Sequence, residues 1–358
     1  MKKSFVSVAT AAVLSFTMMG TMIGSASFGD RDPNGDGQIT MADSTCINQY
    51  LVGATFPSNV DALDFDENGI ISRMDSFKIM AVDAGLEVSI GNAASYGVET
   101  ELNDEDSADY YVYNASTGAR ITSADYTING KPSSKNGIDN TDVVIGSDDR
   151  VIDWTKSGVA KLMCSGGAGY LGTGFVVDDH TIATAAHCVV QSEYTGKAIS
   201  SIKLFNSNGT VALSATPLQI HVPKDYFTSS AENDYALITV YQDISNYVCF
   251  DLGVALDQTV PVTVTATGFP QYVNNTYVND GTNHNMYSGT GSITSISTNQ
   301  IFYNADTSSG NSGCPIYVTE ASNGNLKYTV IAIHRGGSNA GTRINGKILR
   351  FYYHNPNI

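Results

Sequence analysis

From about residue 143 onward, the sequence alternates short apolar runs with clusters of turn-forming residues. The runs are rich in β-branched and aromatic side chains, as in "GTGFVV", "YALITV", "PVTVTATGFP", "QIFYNA" and "YTVIAIH", and Gly, Asn, Ser and Pro separate them. This pattern is typical of many short strands joined by tight turns. It predicts an all-β barrel or sandwich, and the closing segment "INGKILRFYYHN" is a candidate terminal helix.

Composition and charge narrow the class of protein further. Charged residues make up 15% of the 358 residues, whereas the chain contains 34 Gly and 20 Tyr. This balance suits a β-rich extracellular protein better than a helical cytosolic one. The net charge of -16 is offset by no basic stripe, which argues against a nucleic-acid partner.

The first residues have the pattern of a secretory signal peptide. Lys2 and Lys3 precede the apolar run "FVSVATAAVLSFTMMGTMIG", and the small residues of "SAS" follow it. This order predicts a signal peptide over residues 1–27 and a secreted protein. The run is also long enough to span a membrane, so an uncleaved anchor is the alternative. No later stretch resembles a transmembrane segment.

The number of cysteines is odd. The chain contains Cys46, Cys164, Cys188, Cys249 and Cys314. An odd number leaves at least one free thiol or an intermolecular link. Secretion would permit disulfides, and a bond between Cys164 and Cys188 is one plausible pairing.

A short acidic segment occurs twice, with an offset of 32 residues. The first loop (32–43) reads "DPNGDGQITMAD" and the second loop (64–75) reads "DFDENGIISRMD". Both have oxygen-bearing side chains at positions 1, 3, 5 and 12 and glycine at position 6, the spacing of a calcium-binding EF-hand loop. Calcium takes six or more oxygen ligands, and the glycine permits the backbone to reverse. Two acidic turns without a metal are the alternative.

The spacing assigns six candidate ligands to each loop. Gln38 and Ile70 would bind through backbone carbonyls, and Thr40 and Ser72 through water. The full set is Asp32, Asn34, Asp36, Gln38, Thr40 and Asp43 in the first loop and Asp64, Asp66, Asn68, Ile70, Ser72 and Asp75 in the second.

An apolar segment follows each loop ("STCINQYLVG" and "SFKIMAVDAG"), and Asp replaces Glu at position 12. Residues 28–86 therefore resemble a dockerin module, which is small and α-helical. The resemblance implies two Ca²⁺ ions and attachment to a cohesin module on a cell-surface multienzyme scaffold. Most dockerins are C-terminal, whereas this one is N-terminal. Its loop ends, Met41-Ala42 and Arg73-Met74, also differ from the usual Ser or Thr, which leaves the class of cohesin open.

Three further motifs stand in the order His, Asp, Ser. His187 lies in "TAAHC", Asp234 in "DYALI" and Ser312 in "GNSGCP". A single histidine, a turn aspartate or a polar glycine turn is usually structural. Together the three motifs resemble the signatures of chymotrypsin-fold serine peptidases, which implies an all-β two-barrel domain over residues 143–358.

The resemblance assigns a role to each of these residues. Ser312 would be the nucleophile, His187 the general base, and Asp234 the group that orients and stabilises the imidazole. The backbone N–H groups of Gly310 and Ser312 would form the oxyanion hole. A catalytically inactive assembly component of the same fold is an alternative, but the intact triad argues against it.

The specificity motifs resemble bacterial glutamyl endopeptidases of the staphylococcal V8 type. Thr307 lies five residues before Ser312, His334 lies in "IAIHRGG", and "VVIGSDDR" resembles a mature N-terminus at Val143. The resemblance implies cleavage after Glu, with Asp as a second candidate, and binding of that carboxylate by these three residues. The alternative is trypsin-like cleavage after Lys or Arg, using Asp306. Arg335 either adds positive potential or faces solvent.

Residues 87–142 are polar and acidic and contain few apolar clusters. We expect a solvated linker or a propeptide. Cleavage after Asp142 would create the new N-terminus at Val143 and would cut the covalent link between dockerin and peptidase. The scaffold would then release a free enzyme. With a permanent linker, the peptidase would instead be active while tethered.

Overall fold

A computed structural model of the chain describes residues 31–55, 57, 59–84, 108–128, 143–165, 170–228, 232–256, 262–322, 325–336 and 339–353. The predicted signal peptide lies outside these ranges, as does Asp142. Within them, none of the helices combines the length and the apolar character that crossing a bilayer requires.

The described part of the chain contains short helices and many strands. The α-helices are α1 (Met41–Leu51), α2 (Arg73–Asp83), α3 (Ala186–Val189) and α4 (Gly346–Tyr353), and the 3-10 helices are Asp61–Leu63, Thr122–Ala124, Lys224–Phe227 and Ser245–Tyr247. The first strands are β1 (Ile70–Ile71), β2 (Ala108–Asn114), β3 (Tyr126–Ile128), β4 (Val151–Ile152), β5 (Val159–Cys164), β6 (Tyr170–Asp178), β7 (Thr181–Thr184), β8 (Val190–Ser192), β9 (Thr195–Gly196), β10 (Ile199–Phe205), β11 (Val211–Ala215) and β12 (Pro217–Pro223). The others are β13 (Ala236–Val240), β14 (Asp251–Leu252), β15 (Val254–Ala255), β16 (Thr263–Gly268), β17 (Tyr272–Val273), β18 (Thr276–Tyr277), β19 (Tyr287–Ile296), β20 (Gln300–Tyr303), β21 (Pro315–Ser322), β22 (Asn325–Gly336) and β23 (Ala340–Arg343).

The two repeated loops each lead into a helix through the same cap. Thr40 caps α1 and Ser72 caps α2, and in both cases an aspartate at the third helical position completes a capping box. The hydroxyls of Ser44 and Ser76, which are equivalent in the two repeats, lie 2.7 Å apart. Contact between equivalent residues is expected when two repeats are related by an approximate two-fold axis. The repeats therefore form one compact helical module.

Two β-layers make up the peptidase half. A nine-stranded sheet has the order β11-β10-β5-β6-β7-β13-β12-β2-β3. The second layer closes on itself, because β22 pairs with both β21 and β23 and the path between them runs through β16, β19 and β20. The all-β two-barrel prediction is confirmed, and α4 is the terminal helix that the closing segment predicted.

Residues 108–128 differ from the solvated segment that their polar composition predicted. β2 pairs with β12 along five residue pairs, and β3 extends the sheet. The side chains of Tyr110, Val112 and Tyr113 are fully buried, and the Tyr110 ring stacks on Phe351 of α4 at 4.5 Å. A tyrosine buries a large apolar ring although its hydroxyl makes a sequence read as polar. This part of the predicted linker is therefore part of the peptidase sheet.

All five cysteines are free thiols, so the plausible bond between Cys164 and Cys188 is not formed. The Cys188 thiol instead donates a hydrogen bond to the Ser312 carbonyl, with a sulfur–oxygen distance of 3.4 Å. The thiol therefore takes part in positioning the serine segment.

The sheet position of β2 predicts a large stability effect. Tyr113→Ala should lower the free energy of unfolding by about 3–5 kcal/mol, because it leaves a cavity at a fully buried aromatic position. Tyr111→Ala is the matched control on the partly exposed face of β2, and it should cost about 1 kcal/mol through lost cation–π contacts. Urea unfolding followed by the fluorescence of Trp154 measures both. Equal unfolding midpoints for Tyr113→Ala and wild type would mean that β2 is not part of the core.

Candidate active site and calcium loops

His187 and Asp234 meet because the strands beside them pair. β7 and β13 are antiparallel, with Thr184 opposite Ala236, so the residues after β7 and before β13 lie at the same edge of the sheet. Asp234 Oδ2 lies 2.7 Å from His187 Nδ1, and Asp234 Oδ1 accepts a hydrogen bond from the His187 backbone N–H at 2.9 Å. Two contacts from one carboxylate fix both the ring and the backbone of His187.

The surroundings of His187 favour its protonated form. Burial of the ring disfavours the cation, but the Asp234 carboxylate, and then Cys188, raise the pKa of His187 well above its usual value. Asp234 is itself only 1% exposed, so little water screens the attraction. The carboxylate therefore stabilises an imidazolium at this position.

The serine segment needs its two glycines. Gly310 and Gly313 have φ angles of 98° and 85°, which disfavour side chains. A Cβ atom at Gly310 would lie 2.4 Å from the Phe269 carbonyl oxygen, and one at Gly313 would lie 2.2 Å from that of Thr173. The Ser312 carbonyl accepts a hydrogen bond from the Thr173 N–H at 2.8 Å. The glycines thus allow the segment around Ser312 to pack directly against β6.

The backbone amides around Ser312 fall into two groups. The Asn311 N–H donates to Ser308 and the Gly313 N–H to His334. In the described part of the chain, the N–H groups of Gly310 and Ser312 donate to no acceptor, and no hydrogen bond joins the Ser312 hydroxyl to His187. Catalytic hydrogen bonds are often long in ligand-free sites. The two uncommitted amides are the pair that the sequence assigned to the oxyanion hole.

Two of the three predicted specificity residues, Thr307 and Val143, contact Asn339, and the third, His334, contacts Tyr303. The Asn339 side-chain oxygen accepts from the Thr307 hydroxyl at 2.5 Å and from the Val143 N–H at 3.1 Å, and its amide nitrogen donates to the Val143 carbonyl at 2.7 Å. His334 is fully buried and its Nδ1 contacts the hydroxyl of Tyr303.

Sequence reasoning missed both Asn339 and Tyr303. Asn339 occurs in a turn-like "GGSNAGT" stretch, and its positive φ of 57° is a conformation that asparagine tolerates. That conformational preference is the only local signal that could have drawn attention to Asn339, and it would not have indicated the partners.

Asp306 accepts backbone hydrogen bonds, and Arg335 is buried. The Asp306 carboxylate accepts hydrogen bonds from the backbone N–H groups of Ile145 at 2.7 Å and Asp149 at 3.4 Å. It therefore anchors the segment that follows Val143. Arg335 is 6% exposed, which excludes the solvent-facing alternative.

The two predicted calcium loops share one hydrogen-bonding pattern. In the first loop, the Asp43 carboxylate accepts from the backbone N–H groups of Asn34 and Thr40. In the second loop, the Asp75 carboxylate accepts from those of Asp66 and Ser72. The aspartates at position 1 of the loops, Asp32 and Asp64, accept from Gly37 and Gly69 respectively. The 32-residue offset therefore holds in three dimensions.

The second loop concentrates negative charge. Carboxylate oxygens of Asp64, Asp66 and Asp75 lie within 4.8 Å of one another, and no other such His, Cys, Asp or Glu group occurs among the described residues. Burial and then the Asp66 and Asp64 charges raise the pKa of Asp75 well above its usual value. Lys78 forms an ion pair with Asp66, but one ammonium group does not offset three buried carboxylates, and an all-oxygen set suits Ca²⁺. The residues therefore fit the metal that the loop spacing implied.

Thr40 and Ser72 have a role that the sequence did not predict. Their hydroxyls accept hydrogen bonds from the Ala42 and Met74 backbone N–H groups at 3.2 and 3.0 Å, as helix caps do. The carbonyls of Gln38 and Ile70 remain predicted ligands. The same loop residues thus start each helix and surround each candidate ion site.

Comparison with known families agrees with both resemblances. The trypsin family matches residues 149–355, and the dockerin type I domain matches residues 30–81. A glutamyl endopeptidase of Bacillus licheniformis is 28% identical over 217 residues, which are 57% of this chain and 66% of that protein. An extracellular metalloprotease of Bacillus subtilis is 30% identical over 191 residues, which are 49% of this chain and 55% of that protein.

The chain spans less than two thirds of the length of either curated relative. A solved structure described as a Glu endopeptidase in complex with MPD covers 59% of this chain, and the match includes 98% of that structure, with 23% identity and a TM-score of 0.48. The trypsin family matches more than half of the residues of this chain. The chain therefore belongs to the trypsin family of serine endopeptidases, and it carries a dockerin type I domain before its peptidase half.

Proposed function

We propose that the chain hydrolyses peptide bonds through His187, Asp234 and Ser312. The 2.7 Å contact between His187 Nδ1 and Asp234 Oδ2 carries this proposal, because it is the contact by which the aspartate of a serine-peptidase triad orients the imidazole. The other ring nitrogen, Nε2, lies 3.8 Å from the Cys188 sulfur. The contact of Cys188, the residue after His187, with the Ser312 carbonyl puts the serine segment beside this pair. Serine chemistry accounts for all three residue types.

The reaction follows from these positions. Ser312 Oγ attacks the carbonyl carbon of the substrate while its proton moves to His187, and Asp234 stabilises the resulting imidazolium. The amides of Gly310 and Ser312 donate to the developing oxyanion, and loss of one such donor typically lowers turnover by ~10²–10³-fold. His187 then gives its proton to the leaving amine. Water releases the acyl group by the same steps in reverse.

We infer that the residue before the scissile bond is Glu, with Asp as a second candidate. A carboxylate entering a buried pocket needs hydrogen-bond donors or positive charge. The Thr307 hydroxyl and the Val143 N–H both donate to the Asn339 side-chain oxygen, so a substrate carboxylate oxygen that takes the place of this oxygen would meet two converging donors. The buried His334 adds a third donor, and the glutamyl endopeptidase relative agrees with this specificity.

The position of Asp306 argues against the alternative of cleavage after Lys or Arg. Its carboxylate is used by the Ile145 and Asp149 amides, so binding a basic side chain would compete with two hydrogen bonds. We therefore assign Asp306 to holding the Val143 segment rather than to contacting substrate.

We further propose that the dockerin domain binds two Ca²⁺ ions and attaches the secreted enzyme to a cohesin module of an extracellular scaffold. The candidate ligands are the six residues named above in each loop, between Asp32 and Asp43 and between Asp64 and Asp75. When bound, calcium would neutralise the clustered carboxylates. The first loop is exposed, which leaves the first repeat accessible to a cohesin module.

Cleavage between Asp142 and Val143 is proposed to raise activity. The new α-ammonium group would add charge where the Val143 N–H now contacts Asn339, beside Thr307. The contacts of β2 and of the dockerin domain with the peptidase sheets argue against the release version of this hypothesis. We therefore propose a cleaved enzyme whose two pieces stay associated.

The raised pKa of His187 predicts an acid limb in the pH profile. His187 must be neutral to accept the serine proton, so kcat/KM should fall as the pH drops below its raised pKa. Asp234→Asn removes the charge that raises this pKa, so the limb should move to lower pH and the plateau should fall by about 10⁴-fold. Profiles with a fluorogenic peptide test this, and the exposed Asp243→Asn is the control. An unmoved limb in Asp234→Asn would contradict the assignment.

Cleavage specificity tests the proposed function itself. Digestion of an unfolded protein mixture, read by mass spectrometry, should give cuts after Glu. The Ser312→Ala variant should give no cuts, and its melting temperature should equal that of the wild type. His334→Ala should lower the preference for Glu over Gln by about 10–100-fold, the effect of losing one charge-assisted hydrogen bond. Asp306→Asn should keep that preference. Cuts after Lys or Arg that vanish in Asp306→Asn would support the alternative.

Processing predicts a defined N-terminus. N-terminal sequencing of active protein should give two N-termini, one at Val143 and one near residue 28, and Ser312→Ala should stay intact if the enzyme processes itself. After cleavage the two pieces should coelute in size-exclusion chromatography and separate only in urea. Full activity in an uncleaved chain beginning near residue 28, with no gain on cleavage, would contradict the activation proposal. If the two pieces separate under native conditions, the scaffold would instead release a free peptidase after cleavage.

A further inference from the structure

The two calcium loops have similar internal geometry but very different surroundings. Residues 34–38 of the first loop are exposed, whereas Asp64 and Asp66 of the second loop are 1% exposed; the aspartates at position 12, Asp43 and Asp75, are buried in both loops. Since the loops repeat the same hydrogen bonds, the difference comes from what covers them. The peptidase half covers the second loop.

Backbone pairing joins the second loop to the peptidase half. β1 is part of this loop and pairs with β15, with Ile70 opposite Ala255 and Ile71 opposite Val254. The Leu256 N–H also donates to the Gly69 carbonyl at 2.7 Å. At the far side of the module, a Cβ atom on Gly53 would lie 2.9 Å from the backbone of Arg350. The two halves are therefore in van der Waals and hydrogen-bond contact.

One peptidase side chain reaches the ion-binding residues themselves. Glu320 on β21 accepts from the Asn68 side-chain amide at 3.2 Å and from the Ser72 hydroxyl at 3.3 Å. Thr329 of the neighbouring strand donates to the same carboxylate. The same Asn68 nitrogen also donates to Asp66 at 3.1 Å, and the Asn68 oxygen accepts from the Ile70 N–H, as Asp36 accepts from Gln38 in the first loop. Glu320 thus adds a peptidase contact to two predicted members of the second calcium site.

The sequence differences between the repeats coincide with this contact. Where the first repeat has Asp36, Gln38 and Met41, the second has Asn68, Ile70 and Arg73. Ile70 is buried against β15, whereas its counterpart Gln38 is exposed. Arg73 is exposed but forms an ion pair with Asp251 at 3.1 Å.

The change at loop position 5 has a particular electrostatic reason. An aspartate at position 68 would put a second carboxylate against Glu320, and Asn68 avoids that repulsion while donating a hydrogen bond.

We propose that the second loop is a calcium-dependent joint between the dockerin domain and the peptidase half, in which Glu320 orients Asn68 and Ser72 for the ion. Calcium binding at this loop and docking of the module then stabilise each other, whereas the first loop lies on the exposed side of the module and affects the peptidase less. The inference rests on the proposed binding of calcium by both loops. Residues that orient metal ligands typically change metal affinity by about 10–100-fold.

The single tryptophan makes this coupling measurable. Trp154 is the only Trp in the chain and packs on Phe205 and Phe269 in the peptidase half, so its fluorescence reports unfolding of that half alone. The experiment uses the full chain with Ser312→Ala to prevent self-cleavage. Calcium titration calorimetry after chelator treatment measures binding, and melting of Trp154 fluorescence with and without Ca²⁺ measures coupling.

Two ions should bind, and Ca²⁺ at about 100 times the Kd should raise the Trp154 melting temperature by up to about 5–10 °C. Asp64→Ala should abolish this rise, and Asp32→Ala, its matched partner in the first loop, should keep it. Glu320→Ala should weaken one site by about 10–100-fold and reduce the rise. Thr319→Ala, exposed on the same strand, should leave both unchanged.

The possible failures are distinguishable. Absence of any binding heat in the wild-type sequence would overturn calcium binding by the dockerin domain, and the joint with it. Binding of two ions with no change in Trp154 melting would overturn only the joint. Wild-type affinity at both sites in Glu320→Ala would overturn the role of Glu320. The wild-type melting comparison keeps the proposal testable even if a variant fails to fold.

Discussion

The Thr173 N–H donates one buried hydrogen bond to the Ser312 carbonyl, at 2.8 Å, and this bond joins the first sheet to the serine segment. The Thr173 hydroxyl adds a second bond, to the Gly310 carbonyl at 2.7 Å. Because His187 follows β7 and Asp234 precedes β13 of the first sheet, whereas Ser312 precedes β21 of the second layer, the spacing within the proposed triad depends on this contact. Hydrogen bonds are stronger in a buried, low-dielectric setting, which keeps the two layers in register.

Much of the proposed active site could be predicted because its information is local. Gly310 and Gly313 lie within two residues of Ser312, and their need for positive φ leaves few other residues possible. His187 and Asp234 are each next to an apolar strand, so a short motif specifies both the side chain and its place at a strand end. The calcium loops were also readable, because each candidate ion site lies within twelve consecutive residues.

The remainder depends on contacts between distant residues, which local patterns do not specify. Asn339 contacts Val143 across 196 residues, and Glu320 contacts Asn68 across 252. The residues next to Asn339 and Glu320 in the sequence do not indicate which distant residue either one contacts. β2 was missed for another reason: its tyrosines and neighbouring acidic residues resemble a solvated segment until a sheet edge is available to bury one face.

The pairing of β1 with β15 also determines where an anchored enzyme can act. A catalytic domain on a flexible tether explores a volume that grows with the length of the tether. A domain held by strand pairing and a shared hydrophobic core keeps a fixed orientation relative to its anchoring module. If the dockerin domain binds a cohesin module, the active-site cleft would keep a fixed direction relative to that module, and flexible polypeptides would reach it more easily than rigid ones.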